Sequence, residues 1–113
     1  AMAWVFSYGT LRDPEVQRST LGRALPGAED ELVGYQLTTI GVTDPAFVAL
    51  TGKAVHANVR PTGLPAHRVR GLALEVTESD LATLDRYEAP AHYERVRATL
   101  ASGKEAWVYL RAR

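Results

Sequence analysis

TESDLATLDRYEAPAHYERVRATLASGKEAWVYLR, residues 77–111, decides the fold class. Thr77-Glu78-Ser79-Asp80 has the spacing of a capping box, with Asp in place of the usual Glu. A helix is therefore predicted from Glu78 to about Glu88, and Pro90 blocks much continuation because it lacks an N–H. From Tyr93 to Leu100 the chain alternates. Val96, Ala98 and Leu100 fall on one face, and Arg95, Arg97 and Thr99 on the other. Ser102-Gly103 is a turn signal. Ala106–Arg111 returns as a strand, with Ala106, Val108 and Leu110 facing one way and Trp107 and Tyr109 the other. The segment is thus a helix that runs directly into a hairpin.

Upstream, Ala3–Tyr8 is almost continuously apolar and reads as a strand buried on both faces. It stops at Gly9. Asp13 suits an N-cap, Pro14 the first helical position and Glu15 the first turn, so a short helix is predicted from Pro14 to about Leu21, ending at Gly22. The stretch through Pro26-Gly27 reads as loop. Val33–Ile40 has strand composition, with Gly34 marking a bulge or a close backbone approach. Thr43–Pro45 reads as a turn and Phe47–Leu50 as a short apolar piece of open type. Ala54–Arg60 is a weakly alternating strand, Pro61–Pro65 a loop, and Val69–Val76 a strand interrupted by Gly71. Strands outnumber helices and do not alternate strictly with them, which favours α+β over a doubly wound sheet.

The 113 residues suit one domain, 1–113. Apolar residues make up 46% and charged residues 23%, which argues against wholesale disorder. There is no Cys, which removes disulfides, thiolate zinc sites and a cysteine nucleophile. The 13 basic and 13 acidic residues cancel, which argues against nucleic acid as the main ligand. No apolar run approaches the roughly 20 residues of a membrane span. No secretory signal is visible at the start, so the expected location is cytoplasmic and the expected assembly a monomer or weak homodimer.

The residue richest in chemical meaning is Glu88. At about 100° per residue, with Leu81 at zero, Leu84 falls near ~300° and Glu88 near ~340°. Glu88 therefore lies inside the leucine stripe. A carboxylate there must find partners, ionise less readily or line a cavity; the alternative is a structural carboxylate at a fraying helix end. Asp85 lies close to the same stripe and reads as a bonder to a nearby loop or arginine. Gly9-Thr10-Leu11 follows a buried strand and precedes a helix, so its N–H groups can form an anion nest or an ordinary turn. It matches neither a phosphate loop, a dinucleotide fingerprint nor a serine elbow. His56, His67 and His92 show no metal-ligand spacing, so no metal is expected. Arg95 and Arg97 read as a solvated strand face.

Together these loci resemble the γ-glutamyl cyclotransferase-like family, including its γ-glutamylamine cyclotransferase branch. The likeness is carried by Val5-Phe6-Ser7-Tyr8-Gly9-Thr10-Leu11-Arg12, by Val69-Arg70-Gly71, by Leu84-Asp85-Arg86-Tyr87-Glu88 with Tyr93 and Arg95, and by Trp107-Val108-Tyr109. The resemblance implies a small mixed β-barrel flanked by short helices, with a cavity at the end of the first strand. It implies Glu88 as the general acid/base. Tyr8, Gly9, Thr10 and Leu11 would hold the γ-glutamyl group, and Tyr93 and Tyr109 would line the pocket. It also implies a small γ-glutamyl substrate, release of 5-oxoproline and a free amine, and no cofactor. Ala89-Pro90 departs from the Gly that family members often carry after the glutamate, which bears on the shape of the site rather than on the proton chemistry. The competing reading is a non-catalytic small-molecule binding or regulatory module on the same scaffold.

Overall fold

The structure is a computed structural model that describes residues 2–41 and 55–112. The turn expected at Thr43–Pro45 and the apolar piece at Phe47–Leu50 lie outside those residues. The His56 side chain also lies outside them. Strand β1 spans Met2–Ser7 and a 3-10 turn spans Thr10–Arg12. Then come α1 (Pro14–Leu21), β2 (Gly27–Val33), β3 (Tyr35–Gly41), β4 (Val55–Pro61) and β5 (Arg68–Thr77). Helix α2 covers Glu78–Glu88, and β6 (Glu94–Thr99) and β7 (Glu105–Leu110) form the terminal hairpin.

Five strands form one sheet in the order β2-β5-β1-β7-β6, and β3 and β4 pair separately. The α+β expectation holds, but the expected barrel becomes an open sheet. Its edges, β2 and β6, approach without zipping together. They share one antiparallel bridge, Leu32 with Leu100, and the Ala101 N–H donates to the Glu31 carbonyl at 2.9 Å. Strand β1 is central, antiparallel to β5 and parallel to β7. This burial on both sides is what its unbroken apolar run anticipates.

Each face of the sheet carries its own core. Phe6, Leu32, Val69, Ala73, Val108 and Leu110 pack on the side that meets Val59 of β4. Val5, Val76, Leu81, Leu84 and Tyr109 pack on the side covered by α2. The hairpin register pairs Val96 with Val108 and Ala98 with Ala106. That is the apolar face read from alternation.

Three expectations change. Gly27–Val33 is a strand, where the sequence suggested a loop through Gly27 and a strand only from Val33. It is acidic, and it sits at the sheet edge against β5. Gly34 is not a bulge inside one strand. It has φ of +83° and separates β2 from β3, a conformation that glycine adopts without Cβ strain. Gly71 does not interrupt β5. A Cβ there would lie 2.2 Å from the Ser7 carbonyl oxygen, so glycine permits the close approach of β5 to the end of β1.

Candidate active site

Helix α2 brings Glu88 to the site. Thr77 and Asp80 form the complete capping box that starts the helix. Leu81 and Leu84 are 6% and 2% exposed, and Glu88 continues their stripe half-buried at the last helical position. A 3-10 turn over Ala89–Ala91 follows, and His92 then reverses the chain with φ of +63°. The Tyr93 N–H reaches back to the Glu88 carbonyl at 3.3 Å, so Ala89-Pro90 folds the next strand against the glutamate. The Glu88 carboxyl makes no hydrogen bond and no ion pair among the described residues. Burial alone pushes it up to about 7 from its ordinary value of 4.5.

Three tyrosines reach the same place from three parts of the chain. The Tyr8 hydroxyl donates to the Tyr109 carbonyl at 2.5 Å. The Tyr93 hydroxyl donates to the Ala57 carbonyl at 2.7 Å. The Tyr109 hydroxyl donates to Asp85 Oδ1 at 2.6 Å and lies 3.4 Å from the Leu81 carbonyl. Burial chiefly, and then the fields of Tyr93 and Glu88, push the Tyr8 hydroxyl far above its ordinary range. Tyr93 is pushed up to about 12, by burial first and by Glu88 second. Tyr109 is raised by burial, then by its bond to Asp85 and by the Asp85 charge, with Glu88 contributing less. All three stay protonated hydroxyls at any ordinary pH.

A cleft of about 390 Å³ opens beside them, lined by Asp85, Tyr93, Glu94, Arg95, Trp107 and Tyr109. Tyr93 and Tyr109, both expected at a pocket, line it. Glu88 and the segment Tyr8–Leu11 do not. Asp85 accepts from Arg95 at 3.1 Å as well as from Tyr109, the arginine partnership expected of it. The reading of Arg95 and Arg97 as a solvated face is overturned for Arg95. Its guanidinium pairs with Asp85 and lies 4.4 Å from the Trp107 ring centroid. Arg97 also lies over that ring, at 4.8 Å, but stays exposed.

Gly9, Thr10 and Leu11 form the corner between β1 and α1. The 3-10 turn closes with Arg12 N–H to the Gly9 carbonyl at 3.2 Å, which leaves the Thr10 and Leu11 N–H groups ahead of its first bond. Leu11 packs against the core on the α2 side. Buried Gln17 fixes the corner, donating to the Leu11 carbonyl at 2.9 Å and accepting from the Leu25 N–H at 2.7 Å. Tyr8 is the member of this segment that meets the Glu88 tyrosines, through its bond to Tyr109.

Sequence reading gave Arg95 and Trp107 no part in a site and did not single out Gln17 or Asn58. A signal existed for the first two. Trp107 and Tyr109 on the face opposite the apolar one need a cover, and α2 supplies it. Asn58 had none. It donates to the Arg111 carbonyl at 2.8 Å and accepts from the Arg111 N–H at 3.0 Å, so a side chain on β4 acts as a strand partner for the residue after β7. Among the described residues no group of three His, Cys, Asp or Glu is placed to hold a metal ion. No helix there is long and apolar enough to cross a membrane.

Residues 5–113 match the family described as gamma-glutamyl cyclotransferase, AIG2-like. The chain belongs to that family. Solved structures agree on the fold. A solution structure from Arabidopsis thaliana superposes with a TM-score of 0.75 at 20% identity, covering 98% of this chain and 62% of that one. A human protein of uncharacterised function gives 0.74 at 17% identity, covering 99% and 68%. A protein titled gamma-glutamyl cyclotransferase gives 0.73 at 18% identity, covering 100% and 68%. The chain is therefore similar to about two-thirds of each. Among curated proteins, ribose-5-phosphate isomerase A of Methylorubrum populi is 37% identical over 73 residues, which is 64% of this chain but only 30% of the isomerase.

Proposed function

We propose that residues 1–113 form one cyclotransferase domain that converts a γ-glutamyl amine or γ-glutamyl amino acid to 5-oxoproline and the free amine. Glu88 is its general acid/base. The observation that carries this reading is the state of Glu88: half-buried, without a hydrogen-bond partner among the described residues, and with its carboxyl raised to about 7. A base poised near the working pH accepts and returns a proton with little penalty either way.

The substrate brings its own nucleophile, the α-amino group. Closing a five-membered ring makes attack intramolecular, so the protein needs no nucleophile of its own. The α-ammonium sheds two protons and the leaving nitrogen gains two. Glu88 carries each in turn. The first transfer frees the amine lone pair to bond to the γ-carbonyl carbon, and the carbonyl electron pair moves onto oxygen. Collapse of that intermediate breaks the bond to the leaving nitrogen, which departs as an ammonium. No water is consumed and Glu88 returns ionised. The Thr10 and Leu11 N–H groups are the donors assigned to the γ-glutamyl oxygens. The reaction as written needs no cofactor, and the reading places it in the cytoplasm.

A panel of γ-glutamyl compounds, with 5-oxoproline followed by mass spectrometry, tests the reaction. At least one compound should turn over. Glu88→Gln should then lower kcat by about 10²- to 10⁴-fold with little change in substrate affinity. A parent protein with no turnover across the panel returns the chain to the binding-module reading. An active parent whose Glu88→Gln variant keeps full kcat removes the role of Glu88.

A further inference from the structure

Gln17 is 3% exposed and is the buried residue of α1. An amide in such a place costs free energy unless both of its ends are bonded. Both are. Nε2 donates to the Leu11 carbonyl at 2.9 Å, and Oε1 accepts from the Leu25 N–H at 2.7 Å. One partner is an acceptor and the other a donor, so they fix which way round the amide lies. A leucine would fill the space without desolving a polar group, but it would hold neither segment.

The two segments lead to the two halves of the proposed site. The Leu11 carbonyl belongs to the peptide unit shared with Arg12, whose N–H donates to the Gly9 carbonyl at 3.2 Å. That peptide plane is therefore bonded on both edges, by Gln17 and by Gly9. It closes the corner whose Thr10 and Leu11 N–H groups are assigned to the γ-glutamyl oxygens. Leu25 lies two residues after Arg23, which forks both Asp80 oxygens at 2.6 and 2.9 Å. Asp80 belongs to the capping box that starts α2, the helix that ends in Glu88. Leu11, Leu21 and Leu25 also pack on the core that contains Leu81 and Leu84 of α2. One side chain on α1 thus ties the corner to a segment anchored on the helix that carries the base.

We propose that Gln17 is a positioning residue of the site, setting the orientation of the Thr10 and Leu11 N–H groups relative to α2. The inference rests on the cyclotransferase reading and deepens it, since it names what keeps the assigned donors in register with Glu88. Gln17 itself touches no substrate. A misplacement of such donors by about 1 Å can lower a rate by about 100-fold.

Gln17→Glu tests this, because it keeps the shape and makes the donor switchable. Ionised, the carboxylate still accepts from the Leu25 N–H but turns an oxygen toward the Leu11 carbonyl. Protonated, it has one O–H donor and one acceptor and reproduces the amide. Burial and the facing carbonyl keep it protonated at pH ~5.5, and it ionises toward pH ~8.5. The amide NMR signals of Thr10 and Leu11, recorded without ligand, should match the parent at the lower pH and depart from it at the higher. On a γ-glutamyl compound that the parent turns over, kcat/KM is read as a ratio to the parent at the same pH, so the titration of Glu88 cancels. That ratio should be near one at pH ~5.5 and lower by about 10- to 100-fold at pH ~8.5. Unmoved Thr10 and Leu11 signals overturn the positioning role. So does a melting temperature that falls at the higher pH while kcat/KM stays at the parent level, the mark of a purely structural residue. If Gln17→Glu unfolds at the higher pH, Gln17→Met decides. It keeps the bulk without either bond, and it should show displaced signals and a lowered ratio at both pH values; parent-like values overturn the proposal. The NMR signals need no turnover. The positioning role can therefore fail while the cyclotransferase stands, and an inactive parent whose variant moves both signals with pH keeps the positioning and loses the reaction.

Discussion

Glu88 sits where a leucine would stabilise the fold more, and that has a measurable consequence. Its carboxyl is raised from 4.5 to about 7 by burial, so the folded state disfavours the ionised form. The stabilising contribution of the neutral form is complete below pH ~4.5 and is lost as pH rises through ~7. Glu88→Gln should melt like the parent at pH 4. At pH 8 it should be more stable by about 1–3 kcal/mol, a figure discounted because the side chain is only half-buried. Thermal melts at the two pH values check this, and a difference that does not change with pH would remove burial as the cause. In the active parent, kcat/KM should rise as pH crosses ~7, because the base must be ionised to accept the ammonium proton. The position of Glu88 on the leucine stripe was legible from helical spacing. The size of its shift was not. It depends on how deeply the carboxyl is buried once distant segments have packed around the end of α2, and periodicity carries no information about that.

Among the elements, those with chemical end-signals were legible and those without were not. Helix α1 starts at Pro14 with Asp13 accepting from the Glu15 N–H at 2.9 Å, and ends at Gly22 in the left-handed conformation. Helix α2 is more firmly pinned. Asp80 accepts from the Thr77 N–H at 2.8 Å while Thr77 Oγ1 accepts from the Asp80 N–H at 3.1 Å. Arg23 then grips both Asp80 oxygens, at 2.6 and 2.9 Å. These bonds hold the carboxyl at about 2, with the arginine bond the largest cause. Because that value lies below the ordinary one, the stability it supplies is present above pH ~4 and is lost as pH falls toward ~2. Asp80→Ala should cost about 2–3 kcal/mol in urea unfolding at pH 7, more than a lone cap because a partly buried arginine pair goes with it. Thr77→Ala should cost about 1 kcal/mol. Equal losses would show that Arg23 contributes nothing beyond the cap. Strand β2 lacked any such signal. Its Glu29, Asp30 and Glu31 fall between the loop read through Gly27 and the strand read from Val33, and an edge position beside β5 makes them tolerable in a strand.

At the scale of the whole molecule, the sheet order and the burial of Glu88 depend on contacts that no local pattern announces. The α+β class followed from the order of elements. The near-closure of the sheet did not, because Leu32 and Leu100 meet only after β5, β1 and β7 have been laid between their strands. The join between the two sheets is equally non-local. Asn58 is buried on β4 and bonds both main-chain groups of Arg111. The residue before it, Ala57, supplies the carbonyl that receives the Tyr93 proton. One side chain therefore docks β4 on the end of β7 and also sets the height of a carbonyl at the site. Asn58→Ala leaves the Arg111 N–H and carbonyl without their buried partners and should cost about 2–3 kcal/mol. Under the proposed reaction it should also raise KM several-fold with a smaller change in kcat, because Tyr93 lines the cleft while the proton transfers are assigned to Glu88. Asn58→Asp separates the two effects. It keeps the acceptor for the Arg111 N–H but turns an oxygen toward the Arg111 carbonyl, so β4 should still dock while its register shifts. An Asn58→Ala protein that loses stability but keeps its KM would show that β4 supports the fold without positioning Tyr93.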